Sequence, residues 1–283
     1  MTARASTTSQ FRQRGELAVL AWPAFDGFAL DAVVTTRHGG VSSSEHGNYG
    51  TLNLSYSVGD SPANVLENRR RVAAALGTDL GSFVFAHQVH GRGTQIVSAA
   101  DRGRGAEDGN TAVPKTDALV TSDPGTVLAV LAADCVPIVL YDPAAHVLAC
   151  VHAGWRGTVA RACQAAVATM ATLGSRPGDI LAGIGPAMAP DRYQVGTEVK
   201  DAASAAFGGA AASLLRPDGP GHWLFDLWAA NRLVLREAGV PDQQIHVADV
   251  PTGPDPGMFF SHRAEQPCGR FAAVARLGAR SGT

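Results

Sequence analysis

Lysine is nearly missing from this sequence: Lys115 and Lys200 stand against 21 arginines in 283 residues. That imbalance fits a codon bias, and no function follows from it. An excess of either charge is also lacking. With 23 basic and 25 acidic residues the formal net charge is -2, and no basic face marks a nucleic-acid or anionic-lipid partner. Small or neutral ligands fit better. Cysteine is scarce, with four residues and no close pairing, which suits a reducing compartment and argues against a disulfide framework. Four methionines leave few thioether ligands for several coupled coppers. Apolar runs are too short and interrupted to cross a bilayer, and residues 1–13 are polar, without the apolar core of a signal peptide. A cytoplasmic protein is expected. Internal repeats and dividing linkers are also lacking, so residues 14–283 read as one domain behind a flexible tail, 1–13.

What is present is enough apolar sequence for a sizeable core: 46% of residues are hydrophobic and 17% charged. The stretch from Ala132 to Gly157 organises the rest. Val136 to Tyr141 and His146 to Val151 are apolar runs separated by Asp142-Pro143, which predicts a hairpin. Further strands are expected at 17–22, 28–36, 83–90, 116–121, 126–132, 180–185, 245–249 and 271–277. Ser61, Pro62 and the later Gly77 bracket a helix in the order N-cap, first-turn proline, C-terminal glycine. A long helix is expected over 157–173, another over 195–207, and a third over 227–238 capped by Asp226. One domain of mixed α and β structure, its strands flanked by helices, is the economical reading.

Chemistry depends on which histidines and cysteines can meet. Cys135 precedes the first hairpin strand and His152 closes the second, so antiparallel pairing brings them to one end of the sheet. His90 also ends a strand-like segment, in which His87 and His90 should face opposite sides. Two histidines and a cysteine can hold zinc with a fourth position open. Spacing alone leaves open the plainer alternative of three residues packed beside apolar strands. The loop Ala153-Gly154-Trp155-Arg156-Gly157 can hold an anion on free N–H groups and Arg156, or can be a tight glycine turn. Arg69, Arg70 and Arg71 point in different directions around their helix and read as a solvated face. Residues 102–115 read as a mobile surface loop, and 251–269 as a loop between the last strands. Asp134 either orients a ligand histidine or caps a turn.

Several unusual words occur in a fixed order: Q-V-H-G at 88–91, T-D-A-L-V-T at 116–121, A-D-C-V-P at 133–137 and H-A-G-W-R-G at 152–157. G-I-G-P at 183–186, V-G-T-E-V at 195–199 and F-F-S-H-R through G-R at 259–270 continue them. From about Thr36 to Leu277 the chain resembles the laccase-domain family, also called multicopper polyphenol oxidases or peptidoglycan editing factors. The resemblance implies a zinc site of His90, Cys135 and His152, with copper possible in its place. It implies phosphorolysis of adenosine, inosine, guanosine and methylthioadenosine, together with adenosine deamination, so purine nucleosides and phosphate are the expected partners. The fold it implies is an α+β sandwich shared with the cytotoxic necrotizing toxins. A monomer or small homo-oligomer is expected.

Within that frame Cys135, His90, His152 and Arg156 are the candidate catalytic residues. Arg37, Arg156 and Arg263 are candidates to hold phosphate, with Asn53, in L-N-L-S (52–55), as a hydrogen-bonding partner. Three positions depart from the family pattern: His87 stands at a non-ligand position, Pro251 where a cysteine often precedes Thr252, and His262 in place of a tyrosine. Other classes are a copper polyphenol oxidase, a hydrolase using Cys135 as nucleophile and His152 as base, an editing hydrolase of misloaded UDP-MurNAc-amino acid, and an inactive binding module.

Overall fold

The computed structural model describes residues 8–45, 47–253 and 257–279. Six strands build a first sheet: β1 (Gln10–Arg14), β2 (Leu17–Ala21), β3 (Leu30–Thr35), β4 (Phe83–Phe85), β7 (Val127–Ala132) and β17 (Phe271–Leu277), in the order β1-β2-β3-β17-β7-β4. Six more build a second: β5 (Thr94–Ile96), β6 (Ala118–Thr121), β8 (Val136–Asp142), β9 (Val147–Ala153), β10 (Leu181–Ile184) and β15 (Ile245–Val247), in the order β15-β10-β8-β9-β6-β5. Both are mixed: β4 runs parallel to β7, β5 to β6 and β10 to β15, and the remaining neighbours are antiparallel. Short pairings join β11 (Ala187–Met188) to β16 (Pro251–Thr252), and β12 (Gln194–Val195) and β13 (Leu215–Pro217) to β14 (Trp223–Phe225).

The sheets pack face to face, and period-two alternation shows how. Along β9, Leu148 and Cys150 join a core with Leu128, Val130, Ala273 and Ala275 of the first sheet. Ala149 and Val151 point the other way, into a core with the helices. The hairpin strands are consequently buried on both faces and read as continuous apolar runs, not alternating ones. Five helices cover the second sheet: α2 (Trp155–Val159), α3 (Ala162–Thr172), α4 (Thr197–Phe207), α5 (Ala211–Leu214) and α6 (Leu227–Glu237). The outer face of the first sheet packs on α1 (Pro62–Ala75). None of the described helices is long and apolar enough to cross a membrane.

The structure corrects several expectations. Within the supposed tail, Gln10–Arg14 is an edge strand paired with β2, and the Thr8 and Ser9 hydroxyls donate to the carbonyls of Val247 and Ala248. Residues 1–7 lie outside the described residues, as do 254–256 of the 251–269 loop. The single helix expected over 157–173 is broken into α2 and α3 at Arg161, which takes φ +66°. Its guanidinium reaches Glu237 and the Ala206 carbonyl. Of the three consecutive arginines, Arg69 is buried rather than solvated: it lies between the rings of Tyr56 and Phe85 and donates to the carbonyls of Leu54, Gly105 and Ala106. The 102–115 segment is thereby tied down, with Ala106 and Val113 in the core. The strand expected over 83–90 stops at Phe85, so His87 and His90 lie on a loop and have no strand faces.

Candidate metal centre and cleft

The β8–β9 register sets Val136 opposite Ala153 and Pro137 opposite His152, which brings Cys135, immediately before β8, to the same end of the hairpin as the histidine. His90 arrives from the loop after β4 with φ +59°, and Asp134, next to Cys135, has φ +81°. Two non-glycine residues in the left-handed region beside one site are a cost the surrounding contacts must offset. Those contacts are visible. Gln88 behaves like a strand residue, its amide donating to the Leu131 carbonyl and accepting from the Leu131 N–H, both within 2.8 Å. Asp117, just before β6, accepts from the backbone N–H groups of Val89, His90 and Gly91 at 3.3, 2.9 and 2.7 Å.

The same carboxylate lies 3.0 Å from Nδ1 of His152. With Nδ1 donating there, Nε2 carries the lone pair and faces the other two side chains. The ligand atoms of His90, Cys135 and His152 lie within 4.8 Å of one another. Gly154 keeps that space open, because a Cβ there would stand 2.7 Å from Cys135 Sγ and 3.3 Å from His90 Cδ2. Burial acts to raise the Cys135 thiol, but His152 and His90 outweigh it and pull the thiol below its ordinary range. Burial acts to lower His152, but Cys135 and Asp117 outweigh it and push the imidazole up. A partly buried thiol thus lies beside a buried imidazole, with a carboxylate behind the histidine. One sulfur and two nitrogens, one already oriented by a carboxylate, form a donor set that suits zinc or copper with a fourth position open.

The three side chains line a cleft of about 830 Å³. His87, Gln88, His262, Arg270, Tyr56, Ser57, Glu107, Asp108 and Asn110 also line it. Arg37 and Asn53, expected to bind substrate, do not line this cleft. Arg37 is buried, donates to the Gly50 carbonyl, pairs with Glu265 at 2.9 Å and lies over Phe260. Asn53 is fully buried, its oxygen accepting from the N–H groups of Ser55 and Arg270 and its amide donating to Asp60. Arg156 and Arg263 also lie outside the cleft lining: Arg156 pairs with Glu198 and stacks on Trp155, and Arg263 donates to the Gln194 carbonyl above Tyr193. Asp134 orients neither histidine; it accepts from the Thr252 hydroxyl and the Arg263 N–H at 2.6 and 2.7 Å and so caps the 261–263 turn. Sequence reasoning missed Asp117, although it stands inside the quoted word T-D-A-L-V-T.

A family model described as multi-copper polyphenol oxidoreductase laccase matches residues 31–278. The chain belongs to this family. It is 40% identical over 236 residues to the purine nucleoside phosphorylase YlmD of Geobacillus stearothermophilus, covering 83% of this chain and 85% of the relative. An adenosine deaminase, RL5, from an unknown prokaryotic organism is 38% identical over 215 residues, covering 76% and 82%. The crystal structure of YlmD from Geobacillus stearothermophilus superposes with a TM-score of 0.89 at 38% identity, over 95% of this chain and 99% of that one. These likenesses support an enzyme of this type.

Proposed function

We propose that this chain is a zinc-dependent purine nucleoside phosphorylase, acting on adenosine, inosine, guanosine and methylthioadenosine, with adenosine deaminase activity. The observation that carries the reading is the His90–Cys135–His152 cluster set in the wall of a cleft whose volume falls within the range of about 300–1,000 Å³ typical of small-molecule sites. The names of the relatives point the same way. His90, Cys135 and His152 would hold the zinc, which would supply a Lewis acid beside the cleft. The chain's own residues do the rest. Asp117 fixes the tautomer of His152 and the loop that carries His90, and the cleft walls orient the nucleoside and keep bulk water from C1′. In phosphorolysis an oxygen of hydrogen phosphate forms the bond to C1′. The C1′–N9 bond breaks with its electron pair on the purine, and the phosphate proton ends on the released base. In deamination water replaces the amine at C6 of adenine and ammonia leaves.

A second reading is favoured by one observation. Cys135, His152 and Asp117 set a thiol beside an imidazole that a carboxylate orients, which is also the arrangement of a cysteine hydrolase. Metal content separates the two, since a metal-bound thiolate is quenched as a nucleophile. The test measures zinc per chain together with base release from adenosine and inosine, with and without phosphate, for the wild type and Cys135→Ala. About one zinc and phosphate-dependent release, both lost in the variant, supports the phosphorylase. A zinc-free protein that releases no base and whose Cys135 iodoacetamide alkylates rapidly supports the hydrolase.

A further inference from the structure

We infer that Arg270 is the phosphate-holding residue of the cleft, seating the anion beside the His90–Cys135–His152 cluster. This rests on the phosphorylase reading and names the residue that reading lacks. Two arginines line the cleft, Arg69 and Arg270. Arg69 is committed to three backbone carbonyls and two aromatic faces. Arg270 is different. Its Nη1 donates to the Cys268 carbonyl at 2.8 Å, the Cys268 sulfur at 3.2 Å and the Gly269 carbonyl at 3.0 Å. Its backbone N–H donates to Asn53 Oδ1 at 2.9 Å. Among the described residues no hydrogen-bond partner is recorded for Nε or Nη2, and no carboxylate forms an ion pair with it.

One guanidinium nitrogen is therefore pinned by the backbone, and the opposite Nε–Nη2 edge is left over. That edge presents two parallel N–H groups, the geometry that takes two oxygens of one anion, and a side chain already held in place loses little freedom on binding. His262 lines the same cleft as Arg270 and the cluster. The acidic groups that line the cleft, Glu107 and Asp108, sit with Tyr56 and Asn110. The Tyr56 hydroxyl is buried without a hydrogen-bond partner. A polar, acidic region disfavours phosphate and suits the hydroxyl and N–H groups of a nucleoside. The cleft thus offers one cationic edge for phosphate and a separate polar wall for the neutral substrate.

The test uses zinc-loaded full-length protein. Inorganic phosphate is titrated calorimetrically into wild type, Arg270→Gln, Arg270→Lys and Arg263→Gln, and the KM values for phosphate and inosine are measured for each. Arg270→Gln should weaken phosphate binding and raise the phosphate KM at least tenfold, with the inosine KM moving less than about threefold. Arg270→Lys, which keeps the charge but loses the two-pronged edge, should fall between. Zinc content and Tm report whether the Nη1 anchor was needed for folding; if Arg270→Gln is unfolded, Arg270→Lys decides. A phosphate KM unchanged in both Arg270 variants, or raised in Arg263→Gln instead, overturns the inference and leaves the phosphorylase reading standing. Wild type that binds phosphate through Arg270 yet releases no base overturns that reading and keeps the anion site.

Discussion

Asp117 and Gly154 do at the candidate metal centre what no ligand can do for itself. Asp117 is fully buried and accepts from three backbone N–H groups and from His152. In Asp117→Asn one of the two oxygens becomes an N–H donor facing donors, so the His90 loop and the His152 ring lose their common anchor. Zinc affinity should fall about 10–100-fold, read by competition with a chromophoric chelator. The same group shapes acid stability. Burial acts to raise its pKa, but His152 and the N–H groups of Gly91 and Val89 outweigh it, so the folded value lies below the ordinary one. A depressed folded value contributes stability that is full above the unfolded carboxylate value of about 3.9 and is lost as pH falls from there through the folded value. The plot of Tm against pH should flatten in that window for Asp117→Asn, and a slope equal to the wild type would contradict the assignment. Gly154→Ala acts sterically: its Cβ would crowd Cys135 Sγ and His90 Cδ2. We expect most of the zinc stoichiometry to be lost while far-ultraviolet circular dichroism stays that of the wild type.

At the scale of elements, legibility followed the kind of force involved. The helix α6 was readable because Asp226 accepts from the Ala229 N–H, a local cap that the sequence displays. The β8–β9 hairpin was readable from two apolar runs and a turn. The break between α2 and α3 was not, because Arg161 takes its left-handed conformation from long-range contacts with Glu237 and Ala206 and no glycine or proline marks it. Arg69 fails for a similar reason, since carbonyls distant in sequence decide that it is buried. Burial pushes that guanidinium down to about 10, and it stays charged at neutral pH. Arg69→Met should leave three carbonyls without their donor and cost on the order of 3 kcal/mol, measured by denaturant unfolding. It should also open residues 102–115 to limited proteolysis; resistance equal to the wild type would show that the segment is held by its own packing.

For the whole molecule, the α+β class was legible but the order of strands was not. β17, the last strand, lies between β3 and β7, and β8 and β9 face it across the sandwich, pairings set by a core that no local pattern encodes. That core also predicts how the protein behaves without metal. The candidate ligands sit at one end of the β8–β9 hairpin, whereas three clusters of buried side chains, spread over both sheets and the helices, hold the fold elsewhere. The fold therefore does not depend on zinc as a small metal domain does. Metal bound only by the folded state still adds stability by mass action, about 4 kcal/mol when free zinc is a thousand times its Kd. Chelation should then lower Tm by on the order of 10 °C, with a cooperative transition remaining and reversal on adding zinc. Cys135→Ala should show no such zinc-dependent shift. Complete unfolding on chelation would mean that the metal, rather than the double-sheet core, holds the hairpin in register.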